Sequence, residues 1–282
     1  MRVVLTGTSG IVGQAVLAAL RRAGHEVSDA ASDLGWRLGR PVDLSGHEAL
    51  IHCAFAHEPG RYRGGEGDDP QRFLRLNLAG SNDLFDAALR DGLQRVLFLS
   101  SRAVHDGWPP GTALPDDLPA RPVNLYGQVK ALAEAHLAQL PIASVSIRAT
   151  GVYGPGPAHK WQRLFATHLA GDPTPQRVAT ELHIEDLAAA ILLLLDQPAP
   201  PSCVNASDLV LDHHDLLSLV NALSGAATPP PPRSDAGLLR IPQCRALRAM
   251  GWRPSGMAGL RRTLPLLLRT GQNVTRSFLK QV

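Results

Sequence analysis

The sequence predicts an α/β fold in which a doubly wound parallel sheet carries a smaller C-terminal lobe. Three observations point there: short continuous apolar runs, stretches of helical apolar periodicity between them, and a glycine-rich turn at the first junction. A strand covered on both faces reads as an unbroken apolar run, because successive side chains enter opposite layers of core.

The first run, RVVLT at 2–6, ends at a glycine, and a helical pattern follows through Ile11, Ala15, Leu17, Ala18 and Leu20. Gly24 is placed to stop that helix, and the next strand begins in AGHEV. Further strands are expected in ALIHCAF at 49–55, RVLFLSS at 95–101 and ASVSIRAT at 143–150, with helices around 70–91 and 124–140 between them. Past residue 150, the proline clusters PTP, QPAPPS and PPPP break the chain into shorter elements. The expected organisation is a sheet domain over 1–150, rejoined by 181–205, and a substrate lobe assembled from 151–180 and 206–282. The helix near 184–196 and CVNAS at 203–207 make that return.

A chain of 282 residues can bury a large core and support one appended lobe. The net charge is +3 and the lysines and arginines are scattered, which argues against nucleic acid as a partner and leaves phosphorylated small molecules open. Cys53, Cys203 and Cys244 are far apart and lack metal-ligand spacing, so neither a disulfide framework nor a metal site is expected, and a reducing compartment is. MRVVLTG enters the first strand without the pattern of a signal peptide, and the longest apolar run, LAAAILLLL at 187–195, is too short to span a bilayer. The expected location is the cytoplasm, with no membrane partner.

Two constellations carry chemistry. In TGTSGIVGQAV, Gly7, Gly10 and Gly13 fall between the first strand and the first helix. Backbone N–H groups at a helix N-terminus attract a pyrophosphate, and glycines let the backbone approach it, so the turn predicts dinucleotide binding. In LYGQVK, Tyr126 precedes Lys130 by four residues, which puts a phenol and an ammonium on one helix face. Alone, such a pair reads as a solvated helix face, since charged and polar residues at this spacing are common there. With the glycine turn upstream it becomes a proton-transfer pair: a tyrosine of pKa about 10 is a poor base unless a nearby cation stabilises its phenolate. A strand-end hydroxyl would orient the substrate oxygen, and Ser100 and Ser101 end a predicted strand; a helix cap is the competing role for either.

The G-x-x-G-x-x-G spacing, IHCAFA, NLAGSNDLFDAA, FLSSRAV, YGQVK and RATGVYGPG together resemble the extended short-chain dehydrogenase/reductase family of the NAD-dependent epimerase/dehydratase type. ELHIEDLAAAI and LRAMGWRP extend the resemblance over nearly the whole chain. It implies a Rossmann-like dinucleotide-binding domain and an NAD(P)-dependent oxidoreductase or epimerase acting on a sugar or sugar-nucleotide hydroxyl or keto group. Ser101, Tyr126 and Lys130 would be catalytic, with Lys130 also holding the nicotinamide ribose. Cofactor contacts carried over by position are Gly7, Gly10, Ile11, Val12 and Gly13 at the turn, Asp43 and Leu44 beside the adenine, and Cys53, Ala54 and Phe55 at a strand end. Asn77 matches an asparagine that braces the site, and Thr150 lies where the chain passes the nicotinamide. Asp43 reads equally as a solvated loop acid. A homodimer through the helices at 70–91 and 124–140 is a further implication, and a cofactor-binding regulator without turnover is the alternative on the same fold.

Departures from the family pattern narrow the reaction. Dehydratases of this type carry Thr-Asp-Glu where this chain has Ser101, Arg102 and Ala103, which disfavours elimination of water. Gly151 stands where many sugar-nucleotide enzymes have an asparagine against the substrate diphosphate. His105, in AVHDG, lies where it would either line the substrate side or sit in an exposed loop. At the second strand's end Ala31 takes the usual acidic position; Asp33 would bind a ribose hydroxyl and Arg37 would attract a 2′-phosphate. The balance tips to NAD, with NADP open.

Overall fold

The computed structural model describes residues 1–58, 64–156 and 159–278, with side chains through Arg269, so part of the lobe's predicted range lies outside the described residues. In chain order, β1 (Arg2–Thr6), α1 (Ile11–Arg22), β2 (Glu26–Asp29) and β3 (Ala49–His52) come first. A composite helix follows, made of α2 (Pro70–Leu74), a π-helical turn at Arg75–Ala79, and α3 (Gly80–Arg90). β4 (Arg95–Ser101) runs into a 3₁₀ turn at Arg102–His105, then β5 (Ala113–Leu114), α4 (Leu125–Gln139), β6 (Ala143–Ala149) and β7 (Gly151–Tyr153). The remainder is α5 (Gln162–Leu169), β8 (Val178–His183), α6 (Ile184–Leu195), β9 (Cys203–Ala206), β10 (Leu209–Asp212), α7 (His213–Ser224), β11 (Ile241–Pro242), α8 (Arg245–Ala249) and α9 (Gly256–Phe278).

Six strands form a parallel, Rossmann-like sheet in the order β2-β1-β3-β4-β6-β9. Alternation along β1 explains its unbroken apolar run. Val3 and Leu5 enter one core layer with Val16 and Leu20 of α1 and Leu187, Ile191 and Leu194 of α6. Val4 enters the opposite layer with Leu84 and Phe85 of α3 and Ala133 and Leu137 of α4. Each face of the sheet therefore has its own helical cover, which is what makes the sheet doubly wound.

The chain steps outward from β1 to β2 and then returns across β1 to β3. That reversal opens a crevice at the C-terminal ends of β1 and β3, where open α/β sheets take their ligands. Beyond β6, the strands β7, β8 and β10 build a second sheet, parallel between β7 and β8 and antiparallel between β8 and β10. Tyr153, Trp161, Phe165, Leu216, Leu260 and Leu264 belong to the separate core of this lobe. Cys244, Leu247 and Trp252 follow the lobe's first helices in sequence yet pack into the main sheet's core beside α6. The lobe is thereby tied back onto the sheet.

Candidate active site

The glycine turn is shaped by two close approaches. Gly7 has φ +78°, and a Cβ there would lie 2.7 Å from the Ala54 nitrogen; a Cβ on Gly13 would overlap the Gly7 carbonyl oxygen. Only glycine satisfies both. Thr6 ties the two strand ends together: its Oγ1 accepts from the backbone N–H groups of Cys53 at 3.1 Å and Ala54 at 3.0 Å. α1 begins at Gly10 with no side-chain cap and no carboxylate in its first turn. Its free N–H groups fit the diphosphate of a dinucleotide, which would supply the acceptors and the negative charge that such a terminus lacks.

From that turn a cavity of about 2160 Å³ runs past the ends of β3, β4 and β6 into the lobe. Gly7, Gly10, Ile11, Val12, Gly13, Cys53, Ala54, Phe55, Ser101, Tyr126, Lys130 and Thr150 all line it. Asn77 does not line it but holds its wall. The π-helical turn directs the Asn77 side chain at the segment after β3, where Oδ1 accepts from Ala56 N–H at 2.7 Å and Nδ2 donates to Ala56 O at 2.8 Å. One asparagine thus fixes both backbone groups of the residue that follows Phe55.

Tyr126 and Lys130 are delivered by α4, whose N-terminus is capped by Asn124 accepting from Gly127 N–H at 2.8 Å. A Cβ on Gly127 would lie 2.7 Å from Ala103 O, so glycine allows α4 to close on the turn after β4 that begins at Ser101. Ser101 Oγ accepts from Ala103 N–H at 3.2 Å, so this serine caps the 3₁₀ turn while facing the cavity. The Lys130 ammonium is buried, donates to Leu99 O at 2.7 Å, and lies over the rings of Phe55 and Phe98 at 4.4 and 4.5 Å. Burial pushes its pKa down to about 7, opposed by the neighbouring Cys53 and Glu134. Phe55 meets Tyr126 edge-on, with ring centroids 5.1 Å apart.

Behind the strand ends runs a buried network that sequence reasoning missed. Glu134, one turn beyond Lys130, accepts from Ser100 Oγ and forms an ion pair with Arg148 at 2.8 Å. Arg148 Nη1 also reaches Leu118 O at 3.0 Å and His105 Nε2 at 3.1 Å. His105 is therefore neither a substrate-side residue nor an exposed loop histidine: it is buried behind β4. The i, i+4, i+8 series of Tyr126, Lys130 and Glu134 was available as a signal, but the partners of Glu134 come from other strands.

Other predicted contacts lie apart from the cavity. Leu44 is buried in the core, and Asp43 turns back to accept from Ser45 N–H at 2.9 Å. Beside the glycine turn, Thr8, Ser9, Leu17, Asp29, Ala31, Ser32 and Arg37 line a recess of about 390 Å³. Asp33 instead accepts from Asp29 N–H at 2.8 Å. The carboxylate at the recess belongs to Asp29, which ends β2, two residues before the position where sequence reasoning looked; it accepts from Thr8 Oγ1 at 2.6 Å and Ala31 N–H at 2.9 Å. Arg37 donates to Ala31 O at 2.9 Å across the same recess.

Known proteins share this fold. The UDP-glucose 4-epimerase of Corynebacterium glutamicum is 27% identical over 239 residues, 70% of this chain and 71% of its own. The UDP-glucose 4-epimerase of Thermus thermophilus, solved in complex with NAD, superposes with a TM-score of 0.72 at 25% identity, covering 95% of this chain and 99% of that one. RMD of Pseudomonas aeruginosa, complexed with NADPH, gives a TM-score of 0.80 at 21% identity over 96% of this chain and 99% of that one. The model of the NAD dependent epimerase/dehydratase family matches residues 3–206, from the first residues of β1 to the end of β9. That match spans the parallel sheet, the glycine turn and the strand ends that open into the cavity, and this chain is a member of the NAD-dependent epimerase/dehydratase family.

Proposed function

We propose that the protein is an NAD(P)-dependent oxidoreductase or epimerase that transfers hydride at a hydroxyl or keto carbon of a carbohydrate-like substrate, with Tyr126 exchanging the proton. The observation that carries this reading is the meeting of Ser101, Tyr126 and Lys130 on the wall of one cavity whose other end is the glycine turn. The nicotinamide ring, when bound, supplies the hydride acceptor or donor. Tyr126 takes the proton from the substrate oxygen on oxidation and returns it on reduction. Lys130, held under Phe55 and Phe98, places a positive charge where the phenolate forms and lowers the cost of forming it. Ser101 presents its hydroxyl to the same oxygen and shares the developing charge. Phe55 shields the pair from water, which strengthens each of these interactions.

Tyr126→Phe tests the reading. Turnover of a panel of sugars and UDP-sugars with NAD or NADP, followed by nicotinamide absorbance, should fall by roughly a hundredfold or more, with coenzyme affinity unchanged. A variant that turns over at the wild-type rate sinks the assignment of Tyr126.

A further inference from the structure

Two clamps hold the segment that follows β3. Thr6, the last residue of β1, accepts the N–H groups of Cys53 and Ala54 on its Oγ1, and Asn77 bonds both backbone groups of Ala56. Phe55 falls between the clamped residues. His52, which ends β3, bridges the clamps themselves: its Nδ1 lies 2.8 Å from Thr6 Oγ1 and its Nε2 lies 3.0 Å from the Oγ of Ser81, in the first turn of α3. Ser81 Oγ donates in turn to Asn77 O at 2.6 Å. All four residues are buried.

The protons of this chain have one arrangement. A hydroxyl has a single proton and two lone pairs. Cys53 and Ala54 take both lone pairs of Thr6 Oγ1, so its proton points at His52 Nδ1, which must be bare. From the other end, the Ser81 proton goes to Asn77 O, so Ser81 meets His52 with a lone pair and Nε2 must carry the ring proton. The two counts are independent and select the same neutral tautomer. An imidazolium would aim a second proton at that of Thr6; burial and the Lys130 charge push the His52 pKa down to about 3, so the ring stays neutral. Every link then runs one way, from Thr6 through His52 and Ser81 to Asn77, and hydrogen bonds in such a chain polarise and strengthen one another.

The same imidazole also backs the seat of Lys130. It stacks on Phe98 with ring centroids 5.7 Å apart and planes 15° apart, and the Lys130 ammonium lies 4.5 Å from the centre of that ring. The second ring over the ammonium is Phe55, the residue between the clamps.

We propose that His52, locked as its Nε2–H tautomer, is a positioning residue that joins the Thr6 and Asn77 clamps into one unit and so holds Phe55 and Phe98 around the Lys130 ammonium. The proposal rests on the reading of Lys130 as the charge that tunes Tyr126, and it assigns the device that keeps the surroundings of that charge fixed.

The test uses the full chain, free of coenzyme and labelled with 15N and 13C. Two-bond 1H–15N correlations should show His52 with a bare Nδ1 and a protonated Nε2, unchanged from pH 8 to pH 5, the signal being assigned by its loss in His52→Phe. Thr6→Val takes away the proton that Nδ1 accepts and should leave both tautomers populated, whereas Thr6→Ser should retain the single form. Ser81→Ala cuts the link to Asn77 while leaving the imidazole on Phe98. The Lys130 side-chain carbon signal should then titrate about half a pH unit higher, because water reaches the ammonium under a loosened Phe55, and in Thr6→Ser it should stay within about 0.2 unit of wild type. Thr6→Val and Ser81→Ala combined should move it by less than the sum of their separate shifts, since either one alone opens the chain. A proton on Nδ1 in the wild-type protein overturns the proposal, and so does a Ser81→Ala variant in which Lys130 titrates as in wild type. Additive shifts in the double variant overturn it as well. These readouts need no turnover, so a failure here is distinguishable from a failure of the hydride-transfer reading, which Tyr126→Phe decides.

Discussion

The ammonium of Lys130 sits 4.4 Å from the centre of the Phe55 ring, so the residue that supplies charge to the proton-transfer pair is roofed by a residue of the segment that follows β3. The ring adds a cation–π attraction of roughly 1 kcal/mol, but it also excludes water, and exclusion dominates because the pKa lies at about 7 rather than 10.5.

Phe55→Ala should therefore raise the Lys130 pKa by about one unit or more, since readmitted water favours the ammonium more than the lost ring contact disfavours it. A pH titration of the Lys130 side-chain carbon signal by NMR reads this directly. The alkaline limb of the kcat profile, set by loss of the ammonium, should move upward with it. A downward shift would show that the ring, not burial, governs this lysine.

Lys130 also makes stability depend on pH. Its folded pKa of about 7 lies below the unfolded value of 10.5, so the unfolded chain binds more protons between those limits. The penalty is full below pH 7 and is relieved as pH rises towards 10.5. Lys130→Met removes that penalty and also the hydrogen bond to Leu99 O, a smaller loss of about 1 kcal/mol. Coenzyme-free Lys130→Met should accordingly melt higher than wild type at pH 6, by about 5 °C, and the gap should narrow by pH 9.5. The same variant should be inactive.

Gly13→Ala puts a Cβ 2.5 Å from the Gly7 carbonyl carbon, where backbone rather than a mobile side chain must yield. Coenzyme affinity, measured by quenching of tryptophan fluorescence, should fall by about a hundredfold, with a stability loss of roughly 2 kcal/mol. Alanine at Gly92, whose Cβ would meet nothing within 4 Å but which has φ +77°, serves as the control for backbone strain alone. Equal coenzyme affinity in the two variants would remove the close approach as the reason for glycine at 13.

Glu134→Gln breaks a buried ion pair from one side and leaves the Arg148 guanidinium without its counter-charge. Urea unfolding should show a loss of about 3 kcal/mol, larger than any exposed pair such as Arg233–Asp215 would give. Arg148→Met with Glu134→Leu should recover much of that loss, because two well-packed apolar groups replace both charges.

The sheet was legible because both of its faces are covered, so β1, β3, β4 and β6 each appear as apolar runs. The glycine turn and the Tyr126–Lys130 pair were legible because each is local: one turn, one helix face. What pattern reading lacks is any account of where a polar side chain finds its partner. Thr6 bonds across to Cys53 and Ala54, Glu134 to Arg148, and His105 to Leu118, each well beyond the reach of one turn or one helix face. The helix at 70–91 reads as a single regular pattern, yet a π-helical turn interrupts it and aims Asn77 at Ala56. Asp29 escaped notice because β2 ends earlier than spacing alone suggested.

The sixth strand, β9, reaches the sheet only after α5, β8 and α6 have been traversed. During synthesis the glycine turn and the α4 pair emerge long before Cys203–Ala206, so β6 waits with an open edge and one core layer bare of Leu187, Ile191 and Leu194. A chain halted near residue 150 would hold the glycine turn, Ser101, Tyr126 and Lys130, and still present a sticky, unfinished sheet rather than a working half-enzyme.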